Sequence, residues 1–176
     1  MPRYIITGGL GTGKTSVISQ LGRELETVPE PARELIAEHR AATGEPTLDH
    51  RPELFVERLV QRSIENYQSV SETGLAVFDR GVPDCVAYAT AYGIDAKTAM
   101  QAAALYRYQT PVFVAPPWKE IYTIDDMRQA TFAQAEIFFS EVITAYDRLG
   151  YETIELPRKS VEERVAFITA RLPLGQ

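Results

Sequence analysis

The stretch Gly8-Gly9-Leu10-Gly11-Thr12-Gly13-Lys14-Thr15-Ser16 decides the fold. It packs four glycines into the six residues before a lysine and two hydroxyls. Just upstream, "RYIIT" (3–7) is a short apolar run with strand character. Just downstream, Val17, Ile18, Leu21 and Leu25 recur at helical spacing. A glycine-rich turn between a strand and a helix brings several backbone N–H groups toward one point, with no side chains in the way. The helix N-terminus adds partial positive charge at the same point. The pattern G-x-x-x-x-G-K-[ST] in that context is a phosphate-binding loop. Residues Gly8 to Ser16 are thus expected to cradle a nucleoside triphosphate. Lys14 would reach the terminal phosphates, and the Thr15 hydroxyl would ligate Mg²⁺.

Outward from this loop, strands and helices alternate. "ETVPE" contains a brief second strand, and Pro31 suits the first turn of a helix through "ARELIAEHR". Asp49 and Pro52 open a longer helix with Val56, Val60, Ile64 and Tyr67 on one face. "LAVFD" (75–79) is a buried strand, "PVFVAP" a fourth and "YETIEL" a fifth. Between them lie an alanine-rich helix with Asp95 as its cap and a long helix around "TFAQAEIFFSEVITAYDRL". Ser160 and Glu163 form a capping box for the last helix, whose Val161, Val165 and Ile168 point inward. Such alternation predicts an α/β fold: a five-stranded parallel sheet flanked by helices in three layers. One domain over residues 1–176 accommodates it, with a lid-like segment at about 117–130.

Composition narrows the function classes. The 176 residues carry a formal net charge of −6, which disfavours a nucleic-acid-binding role. No apolar run approaches the ~20 residues of a membrane helix. "MPRYIITGG" lacks a signal-peptide core, and Cys85 is the single cysteine. The expectation is a cytoplasmic protein with neither membrane nor nucleic acid as partner. No metal-ligand cluster and no nucleophilic triad pattern is present.

Ligands of parallel sheets bind beyond the carboxyl ends of the strands, so residues just after each strand come next. Asp79 ends the third strand and is the expected second carboxylate on the Mg²⁺ side. Arg80 follows it, where it could bind an acceptor or stabilise charge on a transferring group. Asp84 is a candidate for the same loop or for the cap of the next helix. Glu30 precedes Pro31 at a helix start, yet Glu is not a favoured cap. A carboxylate there is placed to orient an acceptor hydroxyl or to take its proton. Arg33 lies one turn further on. Polar candidates for an acceptor pocket are His39, His50, Arg51, Gln61, Arg62 and Tyr88.

The ordered set "GGLGTGKTS", "VPEPARELI", "FDRGVPDCVAY", "PPWKEIYTIDDMRQ" and "LGYETIELPRKSVEERVAFI" resembles the AAA-type ATPase and kinase-like P-loop family that includes nicotinamide riboside kinase-like domains. The resemblance spans nearly the whole chain. More distantly, the Glu-Pro and Asp-Arg pieces are similar to their counterparts in deoxynucleoside kinases. It implies that Glu30 acts on the acceptor hydroxyl and that Arg80 sits near the phosphates. Deoxynucleoside kinases usually carry Glu-Arg-Ser where this chain has Asp79-Arg80-Gly81. It further implies that "WKEIYTIDDMRQA" closes over the nucleotide, bringing in Arg128 and, second, Lys119, with Trp118 and Tyr122 as packing. The loop "LPRKS" would hold adenine, with Arg158 stacking on it. The absence of an Asn/Thr-Lys-x-Asp guanine motif favours ATP over GTP. The expected activity is transfer of the γ-phosphoryl of Mg-ATP to a hydroxyl of a small molecule. The alternative is a regulatory ATPase acting on a protein partner.

Overall fold

The computed structural model describes residues 2–45, 51–71, 73–123 and 130–174. Five parallel strands, β1 (Arg3–Gly8), β2 (Glu26–Val28), β3 (Ala76–Asp79), β4 (Val112–Ala115) and β5 (Thr153–Glu155), form one sheet in the order β2-β3-β1-β4-β5. Its helices are α1 (Lys14–Leu21), α2 (Pro31–Thr43), α3 (Pro52–Ser69), α4 (Asp84–Ala91), α5 (Lys97–Leu105), α6 (Phe132–Arg148) and α7 (Val161–Thr169). The sheet fulfils the expected α/β architecture, and each of the five expected strands is present.

Alternation along the strands builds two cores. In β1, Tyr4 and Ile6 join the cluster of Val17, Ile18, Leu21 and Ile168 beneath α1 and α7. Ile5 points the other way, into the larger cluster with Phe55, Val56, Leu59, Phe138 and Tyr146 from α3 and α6. Val77 and Phe78 of β3 divide in the same manner. Apolar runs without polar alternation are what a strand covered on both faces requires.

The loop follows from this packing. Gly8 has φ 129°, and a Cβ there would lie 2.1 Å from the Ala115 carbonyl oxygen. Only a glycine lets β1 leave the sheet so close to β4, and the Gly9 N–H then donates to that same carbonyl at 3.0 Å. Pro31 occupies the first turn of α2, and Glu30 is its N-cap without a side-chain capping bond. Pro83, not Asp84, caps α4. Ala96, not Asp95, is the N-cap of α5, although the Asp95 carboxylate accepts the Lys97 N–H at 2.9 Å. The Ser160–Glu163 capping box forms, and a second one, Thr131 with Gln134, opens α6. Among the described residues no helix is long and apolar enough to cross a membrane.

Candidate active site

A cavity of about 600 Å³ opens beyond the carboxyl ends of the strands. Leu10 to Ser16 line one wall, Glu30 and Arg33 a second, and Trp118, Ile121, Tyr122 and Thr123 a third. Lys159, Ser160, Val161 and Arg164, from the start of α7, complete it. Among the described lining residues Glu30 is the only carboxylate, against four cations: Lys14, Arg33, Lys159 and Arg164. A protein of net charge −6 thus gathers positive charge at its glycine-rich loop, as an anion site requires.

Within the loop, Lys14 is buried and its Nζ donates to the Gly9 carbonyl and, at 3.2 Å, to Thr12 Oγ1. Thr15 and Ser16 are exposed at the first turn of α1, and both line the cavity. Gly11 has φ 64°, and a Cβ there would meet the Tyr122 ring at 2.7 Å. The lid-like segment therefore already rests on the loop at this point. Tyr122 is braced edge-on by Phe132, 5.3 Å between ring centroids, and its hydroxyl donates to the Ala130 carbonyl.

Behind the loop lies a buried polar network. Arg80 is 2% exposed and adopts φ 66°, the only non-glycine with positive φ among the described residues. Its Nε donates to Glu30 Oε1 at 3.0 Å and its Nη1 to Asp84 Oδ1 at 3.0 Å. Its guanidinium lies over the Phe138 ring, 5.3 Å from the centroid. Burial opposes the charge, but Tyr88, Glu30, Asp84 and Asp79 outweigh it and hold the Arg80 pKa well above its ordinary value. Asp84 also accepts from the Gly81 N–H at 2.9 Å, from Tyr146 Oη at 2.6 Å and from the Thr7 hydroxyl. Its carboxylate thus ties β1, the β3–α4 turn and α6 together. Glu30, 3% exposed, is held on its other oxygen by Arg33 Nε at 3.4 Å.

The structure brings Lys14, Thr15, Ser16, Glu30 and Arg33 to one cavity, with Arg80 directly behind Glu30. Asp79 is buried at the end of β3, paired in register with Ile6. Arg158 does not line the cavity. Its Nε and Nη2 both donate to the Pro117 carbonyl at 3.2 Å, while its neighbours Lys159 to Val161 face the space instead. Lys119 is exposed on a short 3-10 turn. Arg128, Asp49 and His50 lie outside the described residues. Of the acceptor candidates, Arg62 pairs with Glu34, Glu38 and Glu65, Gln61 with Glu65, and His39 with Glu45. Tyr88 is buried beside Arg80, its ring centroid 6.0 Å from the guanidinium carbon.

Thr7, Tyr146 and Arg164 carry site contacts that motif reading misses. Arg164 had a signal: it falls three residues after Val161 and four before Ile168, a charge on the apolar face of α7.

The AAA domain family matches residues 3–164. The chain belongs to the AAA domain family. Among solved structures, a NadR protein in complex with NR superposes with a TM-score of 0.75 at 17% identity, covering 99% of this chain and 52% of that one. A deoxyadenosine kinase from M. mycoides gives 0.69 at 11% identity, covering 96% and 97%. Thymidylate kinase from Ehrlichia chaffeensis gives 0.64 at 14% identity, covering 97% and 98%. The fold of this AAA domain is thus that of P-loop kinases, as the sequence motifs imply. No curated protein matches in sequence.

The buried network sets an alkaline limit. Burial pushes the Cys85 thiol from 9.0 up to about 12. Burial and the Asp84 charge hold the Tyr146 phenol well above its ordinary 10.0. A pKa raised by folding means stability that is complete below the unfolded value and is lost above it. Unfolding free energy is therefore expected to fall from pH 9 upward, and faster beyond pH 10. The expected slope is about 1.4 kcal/mol per pH unit per titrating group. Urea denaturation at pH 8, 9.5 and 10.5 measures it, and Cys85→Ala should delay the onset to pH 10. Constant stability to pH 10.5 contradicts the prediction.

Proposed function

We propose that this protein transfers the γ-phosphoryl group of ATP to a hydroxyl of a small, nucleoside-like or similar metabolite. The observation that carries this reading is Glu30, a carboxylate that lines the cavity of the phosphate loop and is fixed from behind by Arg80. A carboxylate held in this way can orient an acceptor hydroxyl and take its proton; in the alternative ATPase reading it would orient a water instead, and the acceptor screen separates the two.

In this reading the loop amides from Gly9 to Thr15, with Lys14, bind and orient the triphosphate. Glu30 accepts a hydrogen bond from the acceptor hydroxyl and aims its oxygen at the γ-phosphorus. The new O–P bond forms as the bond from the γ-phosphorus to the bridging β–γ oxygen breaks, and ADP leaves. The hydroxyl proton passes to Glu30 or to solvent. Arg33, half-exposed on the cavity wall, would hold negative charge near the acceptor. Trp118, Tyr122 and the segment they belong to would exclude water, the competing acceptor. The Thr15 hydroxyl would hold Mg²⁺, with Asp79, buried at the end of β3, as the second group; the ion would neutralise charge on the phosphates. Arg128 and Arg158 are assigned to the lid and to the adenine end on sequence grounds. The structural relatives that share this fold are named for nucleoside and nucleotide kinases or for a complex with NR, which supports a nucleoside-like acceptor.

An acceptor screen tests the reading. ADP release from Mg-ATP is measured across nucleosides, nicotinamide riboside, sugars and amino alcohols, with Lys14→Ala as the blank. At least one compound is expected to raise release roughly 10²-fold or more over water, in line with positioned transfer. If none does, the kinase reading fails and an ATPase acting on a protein partner replaces it.

A further inference from the structure

Among the described residues, Arg164 is a charge without a counter-charge. It reaches from α7 to the phosphate loop, where its Nη1 donates to the Thr12 carbonyl at 2.9 Å. The same nitrogen lies 3.1 Å from where a Cβ on Gly13 would be. The residue is 3% exposed and still lines the cavity. Its Nε makes no hydrogen bond among the described residues, and none of their carboxylates pairs with it. The other buried guanidinium group among the described residues faces a different situation: Arg80 has Glu30 and Asp84. Burial consequently pulls the Arg164 pKa below its ordinary value, with no neighbouring charge to offset it.

Holding an unpaired cation in a protein interior is costly, and natural interiors pair such charges. A strut from α7 to Thr12 needs one neutral donor, not a guanidinium. An anion seated on the loop would supply the missing partner at the distance where charge-assisted hydrogen bonds are strongest.

We propose that Arg164 is a phosphate-binding residue, the cavity's second buried cation beside Lys14, whose counter-ion is the polyphosphate of the bound nucleotide. This rests on reading the cavity as a nucleotide site. It does not depend on the acceptor or on phosphoryl transfer.

Two substitutions separate charge from strut. Arg164→Gln keeps polar N–H groups, on a side chain two bonds shorter, but loses the charge. Arg164→Lys keeps the charge. Binding of ADP and of inorganic tripolyphosphate is measured by titration calorimetry, and melting is followed without ligand. Arg164→Gln is expected to weaken both ligands roughly 10- to 100-fold, the range for one charge-assisted hydrogen bond. Its ligand-free form is expected to melt at or above the parent, because an uncompensated charge has gone. Arg164→Lys is expected to bind tripolyphosphate within about fivefold of the parent. Arg171→Met, a surface arginine lying on Phe167, is the control and should change neither reading. Parental affinity in Arg164→Gln overturns the proposal, as does Arg164→Lys binding no better than Arg164→Gln. A loss confined to ADP overturns it too, since that places Arg164 on the nucleoside. If the parent chain binds neither ligand, the nucleotide-site reading itself fails; if only the variants behave alike, that reading stands and the role of Arg164 falls.

Discussion

Arg80→Ala is expected to cost roughly 3–5 kcal/mol of folding stability, the range for removing one partner of a buried ion pair. Two carboxylates, Glu30 and Asp84, would lose their shared guanidinium while both stay buried. With typical domain stabilities of about 5–15 kcal/mol, most of the margin would go. Urea denaturation at pH 7 measures it. The backbone offers an internal check. Arg80 holds φ 66°, which costs an L-residue about 1–2 kcal/mol and glycine almost nothing. Arg80→Gly is therefore expected to be about 1 kcal/mol more stable than Arg80→Ala despite losing the same side chain. A loss below ~1 kcal/mol in Arg80→Ala would show that water or rearrangement satisfies the two carboxylates, and the network would not be the scaffold of the site.

The strain at Arg80 has a geometric reason. The Arg80 N–H donates to the Ile6 carbonyl at 3.0 Å, extending the β1–β3 ladder by one step. The chain must then turn at once so that the Gly81 N–H reaches Asp84 Oδ2. The left-handed conformation turns the Arg80 side chain back under the loop, between Glu30 and Asp84. A glycine there would relax the backbone and remove the side chain that positions Glu30. Local strain retained beside a candidate site fits a residue kept for what its side chain does.

Different parts of this organisation differ in how far they can be read from the sequence. The strands are legible because a parallel sheet covered on both faces demands unbroken apolar runs, and "RYIIT", "LAVFD" and "PVFVAP" are such runs. The loop is legible because its glycines answer a local backbone requirement. Glu30 stands out for a negative reason: it sits at an N-cap without capping. Asp84 is ambiguous in sequence, since an aspartate before an apolar stretch reads equally as a cap. Its partners Thr7 and Tyr146 lie 77 and 62 residues away, and no local pattern encodes a contact of that span. The acceptor candidates on α2 and α3 show the opposite effect. Arg62, Gln61 and His39 look available in sequence, but Glu38 of α2 reaches Arg62 on α3, while Gln61 and His39 are taken by Glu65 and Glu45 within four and six residues of their own segments. Arg158 turned to a backbone carbonyl because Pro117 lies across the sheet end within its reach.

Glu30→Gln is expected to lower the rate of phosphoryl transfer roughly 10²- to 10⁴-fold, the contribution typical of a positioned acid–base group. ADP affinity should stay within about threefold, because Glu30 and the loop occupy different walls of the cavity. The substitution is informative because it changes so little else. Glutamine keeps a carbonyl oxygen that can accept from Arg80 Nε, and Arg80 retains Asp84 as its counter-ion. The fold should therefore survive with a modest loss, unlike in Arg80→Ala. What goes is the negative charge facing the acceptor, so the loss should appear equally in kcat and in kcat/KM for ATP. The measurement is steady-state transfer to whichever acceptor the screen finds, alongside calorimetric ADP binding. A parental rate in Glu30→Gln would reduce Glu30 to the counter-ion of Arg80, a structural member of the buried network. A lost rate together with lost ADP binding would instead mean that the substitution reached the loop through Arg80. Only loss of transfer with nucleotide binding intact assigns the acceptor hydroxyl to Glu30.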